Sequence, residues 1–211
     1  MDSAPDHAAL RIAISEDVAD PELSKLLALH RAEEPDGKIN LFECTFRQQA
    51  EGLISGLYDA GFARSCGSSE GLIAQPVWRH TLAAAVTARS PLLAYKRVPL
   101  EEILKYPLVI WHPEAYEGTY QQVKRTLDAA GGEPIAGAQV ESFDLMMVLV
   151  AAGYGVGVGV ATRISACRHL GVVMRPLAGL APSLTTYLLR SNATPSDSLR
   201  RFIKRTDSIP S

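Results

Sequence analysis

Cysteine is scarce in this 211-residue chain, and Cys44, Cys66 and Cys167 are odd in number and far apart, which excludes a disulfide framework and a paired-cysteine metal site. The five histidines, His7, His30, His80, His112 and His169, include no i, i+4 pair and no cysteine partner at ligand spacing, so no metal site is expected. Basic excess is also missing. With 21 Lys and Arg against 23 Asp and Glu, the formal charge is -2 and the pI near 6.2, leaving no bulk field to hold nucleic acid. No serine stands in a nucleophile elbow and no carboxylate pair stands out, so no catalytic residue and no cofactor is expected. The opening MDSAPDHAALR is polar and acidic, with no basic residues before an apolar run. It does not read as a secretory signal, and the expectation is a reducing, cytoplasmic setting.

One uncharged stretch, Leu145 to Thr162, has about the minimum length of a membrane span. Four of the seven positions from Gly153 to Gly159 are glycine, each costing about 1 kcal/mol of helix propensity, so a spanning helix is not expected. The stretch reads instead as a helix running into a strand. Ser142 stands where an N-cap belongs, Leu145, Met146, Leu149 and Val150 recur at helical spacing, and Gly153 can stop the helix. Val156, Val158 and Val160 then alternate with glycines, which suits a strand closely approached by another backbone. GYGVGVG is no phosphate loop, because it follows a helix and continues as a strand, the reverse of the order such loops need.

The rest of the chain alternates. Leu10 to Ser15 predicts a buried strand. Asp20 is expected to cap a helix that has Pro21 at its first position, Glu22 beside it, and Leu23, Leu26, Leu27 and His30 on one face, and Lys38 to Cys44 predicts a second strand. Thr45 and Gln48 form a capping box, opening a helix with a stripe of Phe46, Ala50, Leu53, Ile54 and Leu57. Tyr58 to Ala63 is the third strand. Strand–helix alternation predicts a mostly parallel sheet in an α/β fold, with ligands beyond the carboxyl ends of the strands: Ser15 to Asp17, Cys44 to Phe46 and Ala63 to Ser65.

Gly71 to Leu93 reads as two strands around Trp78 to Thr81. After it come a short helix at Pro99 to Lys105, a strand at Leu108 to Trp111, a helix at Thr119 to Ala130 faced by Tyr120, Val123 and Leu127, and a strand at Ile135 to Val140. Gly171 to Leu177 and Leu184 to Arg190 predict two further strands, and Pro195 to Ile203 a terminal helix. The middle of the chain thus has its own strand and helix set. The expected division is residues 10–80 with 164–211 in one lobe and 81–163 in the other, joined by crossing strands rather than a tether.

Within this frame Arg64, just after the third strand, is either a bidentate partner for a carboxylate or a structural ion-pair arginine. Trp111, His112 and Pro113 end a strand, and Trp111 is read first as a core aromatic. Thr45 and Ser142 are caps that can also face a ligand.

YDAGFA, VLVAAGYGVGVG, the opening LRIAIS and LKYPLVI together make the chain resemble the effector-binding domain of LysR-type transcriptional regulators, over roughly Leu10 to Arg190. The segment FECTFRQQAEGLISGLYDAGFAR further resembles the branch responding to benzoate, muconate and related acids, where Arg64 falls on an effector-contacting arginine. The resemblance implies two Rossmann-like lobes in a periplasmic-binding-protein type 2 fold with a ligand cleft between them. It places Ser15, Glu16, Asp17, Thr45, Phe46, Arg64, Trp111, His112, Pro113, Ser142 and Phe143 near that cleft. Val160 stands where the family often has proline, and Glu16 and Asp17 where it commonly offers a hydroxyl.

The function so implied is sensing of a small organic acid, aromatic acids included, transmitted through the geometry of a homodimer. In that dimer Pro21 to His30 and Lys38 to Phe42 of one copy face Thr119 to Ala130 and Ile135 to Val140 of the other. The family's N-terminal helix-turn-helix has no counterpart in this sequence, so DNA is an expected partner only through such a domain, and no membrane partner is expected. The alternatives are a stand-alone solute-binding protein of the same fold and a small-molecule enzyme such as a dehydratase.

Overall fold

Parallel strand pairing organises the chain twice. The computed structural model describes residues 9–15, 18–67, 70–179 and 182–210. One unit comprises the chain up to Trp78 with Thr186 onward, and the other is Arg79–Thr185.

In the first unit β1 (Leu10–Ile14), α1 (Pro21–Glu33), β2 (Ile39–Glu43), α2 (Phe46–Ile54) and β3 (Ala60–Ala63) follow one another. β1 lies between β2 and β3, parallel to both, with Ile12 opposite Leu41 and Ala60. β3 also pairs antiparallel with β9 (Ser183–Ser191). The core holds Ile12, Leu26, Phe62, Trp78 and Phe202, with the rings of Phe62 and Trp78 stacked at 5.1 Å. Phe202 comes from the terminal helix α7 (Asp197–Thr206), capped by Ser196.

The second unit takes the latter part of β4 (Leu72–Thr87), then α3 (Leu100–Ile103), β5 (Pro107–Trp111), α4 (Glu117–Asp128) and β6 (Ile135–Val140). It continues through α5 (Phe143–Ala151), β7 (Val156–Val160), α6 (Ala161–Ala166) and β8 (Val172–Pro176). β5 is parallel to both β6 and β7, while β4 is antiparallel to β7 and β8. The glycine-rich strand is β7, all of it buried, and a Cβ added at neighbouring Gly155 would run into the Pro107 carbonyl oxygen. The expected close backbone approach is there. No helix among the described residues is long and apolar enough to cross a membrane.

Several expectations need correction. Residues 72–87 form one 16-residue strand, because buried Trp78, His80 and Leu82 alternate with exposed Arg79 and Thr81 at the strand period straight through the expected break. The expected return to the first lobe at residue 164 is also displaced. Val172–Pro176 pairs with Ala83–Thr87, which holds β8 in the second unit and moves the return to Thr186. The stripe on α2 ends early, leaving Ile54 and Leu57 exposed. On α5 the buried face is Phe143, Met146, Met147 and Val150, whereas Leu145 is 54% exposed, since several apolar stripes were available on this helix. Helix α6 and the 3₁₀ turn Cys167–Leu170 were not anticipated.

Helices α1 and α7 are joined by charge. Arg205 donates to Glu33 at 2.7 Å and Glu34 at 2.6 Å, and Arg201 donates to Glu34 at 2.8 and 3.1 Å. Hydrogen bonds from Arg201 and then Arg205 hold the Glu34 carboxyl at about 2, against an ordinary 4.5. His30, buried beside Arg205 and edge-on to Phe202 at 5.7 Å, is pushed below its ordinary 6.5 by burial and by the Arg205 charge.

Both shifts are downward, so both groups stabilise the fold above their unfolded values, and that stability drains as pH falls, His30 from 6.5 and Glu34 from 4.5. Urea midpoints are therefore expected to fall steadily on acidification from neutral pH, and His30→Gln to flatten the limb around pH 6. An unchanged slope in that variant would assign the acid sensitivity to other groups.

Candidate functional site

The chemistry-bearing residues of each unit gather where parallel strands end. In the first unit Ser15 directly follows β1, Thr45 lies two residues beyond β2, and Arg64 directly follows β3. Glu16 and Asp17 lie outside the described residues.

Ser15 is 1% exposed, and its hydroxyl donates to the Gln49 side-chain oxygen at 2.9 Å. The Gln49 amide nitrogen in turn donates to the carbonyls of Ala13 at 2.9 Å and Phe62 at 3.1 Å. One buried side chain of α2 thus ties β1 to β3. Gly61 makes room for it, since a Cβ there would collide with the Gln49 amide. Sequence reasoning missed Gln49, although a signal existed: it falls in the Phe46, Gln49, Ala50, Leu53 stripe, a polar residue at a core position that needs internal partners.

Thr45 caps α2 as expected. Its hydroxyl oxygen accepts from the Gln48 N–H at 3.3 Å, and the Gln48 side chain accepts from the Thr45 N–H at 3.0 Å. Phe46, half-buried, packs against Leu53, Ala63 and Leu189.

Arg64 is 3% exposed, pairs through Nη2 with the Asp20 carboxylate, and donates through Nη1 to the Thr186 hydroxyl. Asp20 occupies the N-cap position of α1 but makes no side-chain capping bond, because its carboxylate is turned to Arg64. Both halves of the ion pair are essentially out of water, with side chains 2% and 0% exposed. The two sequence readings of Arg64 therefore meet a guanidinium whose charge is already balanced. Asp20 and Thr186 are partners that spacing alone could not reveal, being 44 and 122 residues away.

In the second unit β5 and β6 end side by side, with Trp111 opposite Val140 and the His112 N–H donating to the Val140 carbonyl at 2.8 Å. This brings His112 and Pro113 next to Ser142 and Phe143. His112 Nδ1 accepts from the Glu114 and Ala115 N–H groups at 3.3 Å each, which places the neutral ring's proton on Nε2. Ser142 caps α5, accepting from the Leu145 N–H at 3.1 Å. Phe143 is buried with the Arg163 guanidinium 4.1 Å above its ring. Trp111 is the core aromatic expected, 4% exposed and packed on Tyr116 at 4.8 Å between centroids.

Burial pushes the Cys44 and Cys167 thiols up, which disfavours the nucleophilic thiolate. Among the described residues no group of three His, Cys, Asp or Glu could hold a metal.

The Arg64 pair yields a sharp expectation. Arg64→Ala strands the Asp20 carboxylate in a buried site, a loss of about 3–5 kcal/mol, whereas the double variant Asp20→Asn, Arg64→Met recovers much of it. Urea unfolding of the three proteins measures this, and a single variant as stable as wild type would remove the pair's structural role.

The chain matches the LysR substrate binding domain over residues 3–207. It is 28% identical over 136 residues to an uncharacterized HTH-type transcriptional regulator of Escherichia coli (strain K12), YnfL, a match covering 64% of this chain and 46% of that protein. The same identity over the same length relates it to the HTH-type transcriptional regulator BenM of Acinetobacter baylyi, covering 64% of this chain and 45% of BenM. These matches span less than half the length of either relative. The BenM effector binding domain with its effector benzoate is similar with a TM-score of 0.81 at 23% identity, covering 95% of this chain and 91% of that one. The effector binding domain of QuiR in complex with shikimate is similar with a TM-score of 0.84 at 16% identity, covering 96% of each. These likenesses establish a LysR effector-domain fold of the periplasmic-binding-protein type 2 kind. This chain belongs to the LysR substrate-binding domain family, a family of transcriptional-regulator domains and not of enzymes.

Proposed function

We propose that this chain is the effector-sensing domain of a LysR-type transcriptional regulator, that it acts in the cytoplasm without catalysing a reaction, and that its effector is a small organic acid. The observation that carries the acid is the pair of capped helix starts, Thr45–Phe46 and Ser142–Phe143, each at the carboxyl end of a parallel strand. N–H groups at such positions favour a carboxylate. Arg64 is balanced by Asp20, so oriented N–H groups and hydroxyls carry more of the binding than a lone guanidinium would. Phe46 is half-buried beside the helix start of the first unit, and His112 and Pro113 are half-buried beside that of the second. BenM with benzoate and QuiR with shikimate support a one-ring carboxylate as the class. DNA contact in a complete regulator belongs to a helix-turn-helix domain outside these residues.

Titration calorimetry with benzoate, shikimate and their neutral amides tests this reading. Charge-assisted bonds contribute about 1.5–3 kcal/mol, so the better carboxylate should bind about ten- to a hundredfold tighter than its amide. Equal affinity for acid and amide would defeat the acid reading.

The proposed signalling unit is a homodimer. β2 is an edge strand with Leu41 49% and Phe42 39% exposed, and β6 is an edge strand with Ile135 47% exposed, apolar surface suited to burial against a second copy. Light scattering on the order of tens of micromolar should give the dimer mass, and Leu41→Lys should shift it to monomer. A wild-type monomer at that concentration would rule out pairing through these edges in the isolated domain.

A further inference from the structure

The return from the second unit to the first falls on one peptide bond of β9, between Thr185 and Thr186. Within the second unit, Thr185 is held by a side chain of α4. The Gln122 amide nitrogen donates to the Thr185 carbonyl at 3.0 Å, and the Gln122 side-chain oxygen accepts from the Thr185 N–H at 2.7 Å. A glutamine amide carries donors on one side and an acceptor on the other, so it can engage both polar groups of a strand residue at once, as a neighbouring strand would. Two bonds from one planar group fix the direction of the backbone as well as its distance. An apolar side chain of similar length fixes neither.

Within the first unit, Thr186 is 0% exposed and its hydroxyl accepts from Arg64, which pairs with Asp20 at the start of α1. Two consecutive residues are therefore held, one by each unit. The two holds lead to different surfaces. Arg64 stands at the carboxyl end of β3, in the part of the first unit where acid binding is proposed. Gln122 stands on α4 beside Val123, which shares a groove with Ile135 of β6, the edge offered above to a second copy.

We propose that Gln122 is a positioning residue of the sensor: through its hold on Thr185 it carries a shift at Arg64 and Thr186, made when acid binds, into α4 and so into the strength of the homodimer. The proposal rests on the acid-sensing and pairing readings above and adds the residue through which they communicate. Acid can change pairing only if the arrangements it favours differ in how well they pair, and that coupling is a measurable ratio of dissociation constants.

The test measures the dimer dissociation constant of the whole chain by sedimentation, with and without a saturating ring acid, benzoate or shikimate, whichever the titration above finds bound. It compares wild type with Gln122→Leu and Gln122→Met, which keep helix propensity and lose both amide bonds. The acid should change the wild-type constant by about fivefold or more, the usual range of coupling between sites, and by less than about twofold in either variant. Calorimetry should show the acid still bound by both. An equal change in wild type and variants overturns the proposal, even where the variants unfold at lower urea, because that is the behaviour of a merely structural bond. A wild-type dimer indifferent to an acid that it binds overturns it too, as does loss of acid binding in the variants, which would make Gln122 part of the site. Should neither variant fold, amide exchange at Thr185 in the wild type decides: the acid should change its rate about fivefold or more, and an unchanged rate overturns the proposal. A wild type that binds neither acid, or that stays monomeric, removes the acid reading or the pairing reading respectively, and this proposal with it.

Discussion

The buried pair between Arg64 and Asp20 is the interaction on which the first unit's candidate site depends. It fastens the carboxyl end of β3 to the N-terminus of α1, and through Thr186 it includes β9, where the chain returns to this unit. Two charges without water are held only where each balances the other and the remaining polar atoms are engaged. Removing either one therefore disturbs three elements together. The same pair decides the local electrostatics, because an arginine that sequence alone offers as a free anion anchor already has a carboxylate against it.

Gln49 does comparable work with neutral groups. Its amide meets a carbonyl from β1 and another from β3, and its oxygen receives the Ser15 hydroxyl, so α2 is keyed to the sheet by a side chain that an apolar residue could not replace. Thr45, one turn earlier, is thereby fixed in direction as well as capped. The second unit reaches a similar result by backbone proximity. β5 lies between β6 and β7, and the pairing of Trp111 with Val140 sets the Ser142 cap of α5 beside the end of β5. In both units a capped helix start follows the end of a parallel strand, the arrangement that suits an anion.

Much of this was legible in the sequence because its causes are local. Helix starts at Thr45 and Ser142 follow from capping chemistry within four residues, that at Pro21 from a proline whose fixed φ suits the first helical position, and the strands around Ile12, Val109 and Val158 from apolar runs bounded by turn residues. The resemblance carried by YDAGFA and VLVAAGYGVGVG led to the family that the chain belongs to. Strand–helix alternation points to Thr45 and Phe46 beyond a strand end, His112 and Pro113 read as the end of a strand and Ser142 as a helix cap, while Phe143 enters only through the family resemblance.

Tertiary structure decided what depends on residues remote in the chain. Which stripe of α5 is buried was ambiguous because Leu145 and Met147 are equally apolar, and only packing against β5 and β7 turned Met147 inward and Leu145 outward. The register of β8 on β4 moved the boundary between the units, since strand pairing is set by partners far apart in sequence. Arg64 found Asp20 and Thr186 for the same reason, and Gln49 found two carbonyls. The sequence determined the elements, their order and their capped ends, because those rest on neighbours within a turn or two. Only the fold decided which polar groups are spent on one another and which remain to meet a ligand, because that depends on distances in space which spacing along the chain does not encode.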